Sequence, residues 1–192
     1  MSRLSLPDGM SLAIPGEEQA SAIFGVVDKE RARLREWLPW VDATRTPEDT
    51  RAFIRGARDR FAAGDAFHGT VLRDGHPIGG IGLDFTRQNR RGVIGYWLSH
   101  PFCGRGIVTA GCAALIHFAI AEWHAHSFEI RVPAGNTRSA QVARRLGFRL
   151  EGTLVQAWHA GGRFHDLNVF GLTAAEWITQ ERAPGASTSE GP

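Results

Sequence analysis

The 192 residues carry 22 Lys and Arg against 20 Asp and Glu, a formal net charge of +2, and 43% of them are hydrophobic. That suffices for one domain with a real core, and the chain is too short for two. With no basic run, no stretch near 20 apolar residues and no basic-then-apolar start, nucleic acid and membrane are excluded as partners, and the cytoplasm is the expected compartment.

In chain order, Met10 to Ile14 predicts a first strand. Gly16 to Arg35 predicts one or two helices with Ala22, Ile23, Val26 and Val27 on one apolar side. Trp37-Leu38-Pro39-Trp40 is a rigid apolar corner, either core lining or the wall of a substrate groove. Thr46-Pro47-Glu48-Asp49 has the marks of a helix start: an N-cap hydroxyl, proline at the first helical position and acids in the first turn. Phe53, Ala57 and Phe61 are expected on that helix's buried face, with Gly64-Asp65 ending it. From Phe67 the apolar period becomes two, predicting strands at Phe67 to Leu72, Pro77 to Phe85 and Arg91 to Leu98, with Arg73-Asp74-Gly75 as a hairpin turn.

The stretch from Ile94 to Ile116 carries the chemistry. A strand runs into Pro-Phe-Cys-Gly-Arg-Gly, and a helix follows with Ile107, Gly111, Leu115 and Phe118 at helical spacing. Gly104 and Gly106 let a ligand approach the main chain, the free N–H groups of the helix start attract phosphate oxygens, and Arg105 adds a positive charge. A pyrophosphate suits this loop. The chain lacks GxxxxGK[ST], and its GxG runs on to Thr109 and Ala110, so neither a P-loop nor a dinucleotide fingerprint is present. Cys103 lies in the loop with no His placed by sequence to activate it, and Cys103 and Cys112 are too few for a disulfide scaffold. His124 and His126 form an HxH at a helix end, where capping or solvation is favoured over metal binding, and no metal is expected.

Beyond that helix, Ser127 to Val132 is a strand, Thr137 to Leu146 a short helix stopped by Gly147, and Arg149 to Trp158 with Arg163 to Leu172 a hairpin around Ala160-Gly161-Gly162. Thr173 to Arg182 closes a single domain over residues 1–182, and residues 183–192 are expected to be disordered. The order of elements gives a mixed α/β fold on one sheet of about seven strands. Its hairpins are antiparallel, and the strand-helix-strand passage from Val93 to Val132 implies a parallel or splayed pair that opens a cleft at the glycine loop.

Four motifs in this order carry a resemblance: Ile94-Gly95-Tyr96-Trp97-Leu98, Gly104-Arg105-Gly106-Ile107, Asn136-Thr137-Arg138-Ser139 and Leu146-Gly147-Phe148. With the Leu34 to Trp40 segment and the strand from Gly162 to Leu172, the chain from about Ser11 to Leu172 resembles the GNAT acetyltransferase superfamily, in particular its RimJ/RimL-like branch. The resemblance implies the GNAT fold, a mostly antiparallel sheet splayed at the cofactor and covered by helices on both faces. It implies acetyl-CoA as donor, a primary amine as acceptor and a homodimer. It places the pyrophosphate on Cys103, Gly104, Arg105, Gly106, Ile107 and Val108, the pantetheine beside Asn136 and the backbone of Trp97 and Leu98, and Ser139 near the sulfur as donor to the leaving thiolate. Trp37 and Trp40 are then candidate acceptor-binding residues.

Departures from the family pattern bear on mechanism. Pro101 stands where Gln or Arg is common, Ala143 where many members have a Tyr acid, and Val93 where relatives often have Glu. The base is therefore open between Asp84, His68 and ordered water; Asn136 and Ser139 could also simply start a helix, and Tyr96, the only tyrosine, reads as a packed sheet residue. The leading expectation is acetylation of a protein N-terminus, resembling ribosomal-protein serine acetyltransferases. The alternatives are a small-molecule amine acetyltransferase, which an acidic cleft would favour, and a CoA-binding protein without turnover.

Overall fold

Alternating apolar residues and tight turns build one sheet in this protein, which a computed structural model describes for residues 3–182. Its strands are β1 (Arg3–Ser5), β2 (Ser11–Ala13), β3 (Ala66–Arg73), β4 (His76–Thr86), β5 (Arg91–Leu98), β6 (Ser127–Pro133), β7 (Arg149–Ala160) and β8 (Arg163–Thr173). They lie in the order β1-β2-β3-β4-β5-β6-β8-β7. The strand beyond the expected seven is β1, which pairs with β2 from Arg3↔Ala13 to Ser5↔Ser11. The turn between them holds Asp8 and Gly9 at φ of 55° and 70°, the left-handed region that Asp and Gly tolerate best. Three-residue strands are too short to show a period, so the Pro7-Asp8-Gly9 turn is the readable signal.

The helices are α1 (Ala20–Lys29), α2 (Arg31–Leu34), α3 (Pro47–Ala63), α4 (Ile107–Trp123), α5 (Thr137–Arg145) and α6 (Ala174–Arg182). Helix α3 starts where its sequence says: Thr46 Oγ1 accepts from the Asp49 amide (3.3 Å) while Asp49 Oδ2 accepts from the Thr46 amide (2.8 Å). Its buried face is Thr50, Ile54 and Ala57; Phe53, expected inside, is 57% exposed. Ile54 sits between Ala20 and Ile23 of α1, and that contact turns Phe53 away from the core. Helices α1 and α3 cover β3 and β4 on one face.

Helix α4 covers the other face with Ile107, Leu115, Ile116 and Phe118 buried. A Cβ at Gly111 would come within 2.2 Å of Ile81 Cδ1, so a glycine is needed for the helix to lie this close to β4. The final ten residues, expected to be a disordered tail, lie outside the described residues.

The site is positioned by one irregularity. Strands β5 and β6 are the parallel pair, and they pair only from Arg91↔Ser127 to Ile94↔Ile130. Beyond Ile94, β5 stays with β4 as far as Leu98, whereas β6 stays with β8 as far as Pro133. The sheet therefore splays beside Gly95 to Leu98. The register also sorts side chains by face. His68, Gly82 and Gly95 form one row across β3, β4 and β5, and Thr70, Gly80 and Trp97 the next, all on the α1/α3 face. Tyr96 alternates to the α4 face.

Candidate active site

A groove of about 370 Å³ opens at the splay on the α4 side. Of the residues singled out from sequence, Trp97, Leu98, Cys103, Gly104, Gly106, Ile107, Val108, Asn136 and Ser139 line it together. Arg105 does not; its guanidinium lies over the Phe102 ring, 5.9 Å from the centroid. Gly104 and Gly106 sit at φ of 80° and 75°, and a Cβ on either would meet nothing within 4 Å, so the inner side of the loop is open. Among the described residues, no N–H from Gly104 to Thr109 donates to a protein acceptor, which leaves a row of backbone donors at the positive end of α4. The Cys103 thiol faces the carbonyls of Leu98 (3.9 Å) and Ser99 (3.6 Å).

At the other end of the groove Asn136 caps α5, accepting from the Ser139 amide at 3.1 Å. The Ser139 hydroxyl donates to Tyr96 Oη (2.9 Å), and the Tyr96 hydroxyl donates to the Ser139 carbonyl (3.0 Å). Tyr96 is thus more than a packed sheet residue. Burial raises its phenol above the ordinary tyrosine value and keeps it protonated. Strand and helix bring Tyr96 and Ser139 together from 43 residues apart.

A second cavity of about 240 Å³ lies on the α1/α3 face. Tyr96 and Trp97 line both spaces, so β5 is the wall between them. The tryptophan corner is divided: Trp40 lines the cavity and Trp37 the groove, where the Trp37 carbonyl accepts from Trp158 Nε1 at 2.8 Å. His68 and Asp84 also line the cavity. His68 Nε2 lies 3.0 Å from Asp84 Oδ1, and Arg60 Nη1 lies 2.7 Å from the same oxygen. The His68 hydrogen bond, with Arg60 adding to it, holds the Asp84 carboxyl below the usual aspartate range despite partial burial. Glycines make room for the rings: a Cβ at Gly82 would be 2.4 Å from His68 Nδ1, and one at Gly80 would be 2.7 Å from Trp97 Nε1.

One buried carboxylate, which the sequence reading passed over, ties these parts together. Glu30, 9% exposed, accepts from Ser99 Oγ (2.9 Å), the His100 amide (3.0 Å) and Arg33 Nε (2.8 Å). Arg33 also reaches the Leu98 carbonyl at 2.5 Å. Burial pushes the Glu30 carboxyl up, but the bonds from Arg33, the His100 amide and Ser99 outweigh it and hold the group below the ordinary glutamate value. The pair pins the helices that carry the tryptophan corner to the chain just before the glycine loop. Nothing in the spacing of Glu30 and Ser99, 69 residues apart, announces this bond. Among the described residues no cluster of three or more His, Cys, Asp or Glu could hold a metal, and no helix is long and apolar enough to cross a membrane. His124 ends α4 at φ 51° and its carbonyl accepts from Arg90 Nε at 2.6 Å.

The arrangement resembles known proteins throughout. Residues 14–149 match the acetyltransferase (GNAT) domain family. YdaF of Bacillus subtilis (strain 168) is 30% identical over 162 residues, which are 83% of this chain and 88% of YdaF. The ribosomal-protein-serine acetyltransferase of Escherichia coli (strain K12) is 28% identical over 168 residues, 87% of this chain and 94% of the relative. Among solved structures, RimL, a ribosomal L7/L12 alpha-N-protein acetyltransferase in complex with coenzyme A, superposes with a TM-score of 0.86 at 27% identity, covering 91% of this chain and 99% of RimL.

Proposed function

Because the chain belongs to the GNAT acetyltransferase family, we propose that this enzyme moves the acetyl group of acetyl-CoA onto the α-amine of a protein N-terminus. The observation that carries the reading is the meeting of groove and cavity across β5 at Tyr96 and Trp97. A donor in the groove and an amine in the cavity face each other there. The groove's features fit CoA: open glycines and unused N–H groups for the pyrophosphate, and the unpaired edge of β5 for the pantetheine amides. The relatives named for ribosomal-protein and alpha-N-protein acetylation support the choice of acceptor.

The transfer forms a C–N bond and breaks a C–S bond. The amine must be neutral and held near the thioester carbon, and the sulfur must receive a proton as it leaves; positioning alone supplies on the order of 7–11 kcal/mol. An α-amine, with a pKa of about 7.7–8.0 against about 10.4 for lysine, needs no strong base at neutral pH. Asp84 is a poor base because His68 and Arg60 stabilise its charged form. His68, with Nε2 bonded to Asp84, has Nδ1 left over Gly82 and takes the amine proton directly or through one water. Ser139 gives its proton to the thiolate and is reprotonated from water, to which His68 returns the amine proton. As the Ser139 Oγ–H turns from Tyr96 to sulfur, the Tyr96 O–H turns from the Ser139 carbonyl to Ser139 Oγ and restores the bond.

A polycationic small molecule is the less suited acceptor, since the cavity's one carboxylate, Asp84, is already matched by Arg60 and His68. A cytoplasmic homodimer accompanies this reading, and sedimentation tests the assembly. For the activity, the test is intact-mass analysis of synthetic N-terminal peptides and ribosomal proteins incubated with enzyme and acetyl-CoA. One acetyl group on the α-amine is expected; acetylation of lysine side chains or free small amines alone would replace the acceptor.

A further inference from the structure

What fills the cavity beside the amine is written in its walls, and the inference rests on the amine-acetyltransferase reading above. Besides Tyr96, whose side chain alternates to the α4 face, the aromatic residues Trp40, Phe53 and Trp97 line the cavity. Trp40 is 38% exposed and Phe53 57% exposed, large rings that a folded chain ordinarily covers. They do not rest on each other. Trp40 leans on Trp97 (centroids 6.2 Å apart, 58° between planes), and Phe53 meets His68 edge-on (5.7 Å, 70°). Each thus keeps ring surface uncovered, and both line the same cavity. Below them Gly95 leaves the floor open, since a Cβ there would meet nothing within 4 Å. Thr50, 4% exposed and also lining the cavity, keeps its Oγ1 buried with no partner among the described residues.

The charges point the same way. The cavity's only carboxylate is Asp84, matched by Arg60 and His68, so no free charge waits for an ionic substituent. Aromatic walls with a glycine floor suit a flat uncharged ring, which gains edge and face contacts from three sides that an alkyl or hydroxymethyl group cannot reach. We infer that the acceptor carries an uncharged aromatic group next to its reactive amine, seated between Trp40 and Phe53, and that these two residues set acceptor specificity.

The test compares matched pairs with saturating acetyl-CoA: pentapeptides that differ only in a first residue of Phe or Ser, and 2-phenylethylamine against ethylamine. In whichever series is acetylated, kcat/KM is expected to be at least tenfold higher for the aromatic member. Trp40→Ala and Phe53→Ala should each raise KM for the aromatic acceptor and shrink that ratio toward one, with acetyl-CoA affinity unchanged. If the Ser peptide is the better substrate, the aromatic inference is overturned while N-terminal acetylation stands. If only the small amines react, the N-terminal reading falls and the amine pair decides the inference. If nothing reacts, calorimetric binding decides: saturable binding of 2-phenylethylamine and not ethylamine, lost in Trp40→Ala, supports the aromatic seat, and equal or absent binding of both overturns it.

Discussion

At the scale of single residues, the proposed chemistry turns on two hydroxyls and an imidazole. Ser139→Ala removes the proposed proton donor to the leaving thiolate. A hydrogen bond to a developing charge is worth about 1.5–3 kcal/mol, so kcat should fall by about 10- to 100-fold with little change in acetyl-CoA affinity. Tyr96→Phe should lower kcat in the same direction while leaving KM for acetyl-CoA in place. If Tyr96 acts through Ser139 as proposed, the double variant should be no slower than Ser139→Ala alone, whereas independent effects would multiply. Steady-state kinetics on the four proteins checks this. His68→Asn should cut kcat/KM by about 100-fold, the low end for a lost general base, and an unchanged rate at saturating acceptor would leave water as the base. That Ser139 and Asn136 border the groove was legible from their motif and helix position. Tyr96 was not, because its partner lies on another element and its hydroxyl gives no local sequence signal.

At the scale of elements, the α4 start and the α1–α2 segment each make a checkable claim. Gly106 is left-handed at φ 75° and borders the groove, so Gly106→Glu adds backbone strain, bulk and negative charge at the proposed phosphate site. It should abolish acetyl-CoA binding in a titration while circular dichroism stays native. Glu30→Gln leaves the half-buried Arg33 cation, the Ser99 hydroxyl and the His100 amide with a weaker partner and should destabilise the fold by about 1–3 kcal/mol in urea denaturation. Its pH dependence has a definite sign. The folded-state carboxyl is held below its ordinary value of 4.5, so its contribution is complete above that value and is lost as pH falls through the depressed folded value. The stability gap between wild type and Glu30→Gln should therefore close in acid, and a gap constant with pH would refute the ion-pair role. Most elements were readable because turns and caps are local: Thr46 to Asp49, Asp74-Gly75 and Gly147 stand where the sequence places them. Phe53 misled because periodicity marks an apolar stripe, not which edge of it faces solvent.

At the scale of the molecule, one unpaired length of strand organises everything: helices α1 and α3 build a cavity against one face of β5, and α2, α4 and α5 build a groove against the other. The splay itself was foreseeable from a parallel crossover between antiparallel hairpins. Which residues line each side was not, because that depends on register between strands far apart in the chain, as the row His68, Gly82 and Gly95 illustrates. Acetyl-CoA is proposed to occupy this opening. Calorimetric titration of the purified protein with acetyl-CoA, with NAD and ATP as controls, tests it most directly. Saturable one-to-one micromolar binding of acetyl-CoA alone is the predicted result; no binding, or equal binding of all three, would contradict the assignment of the groove.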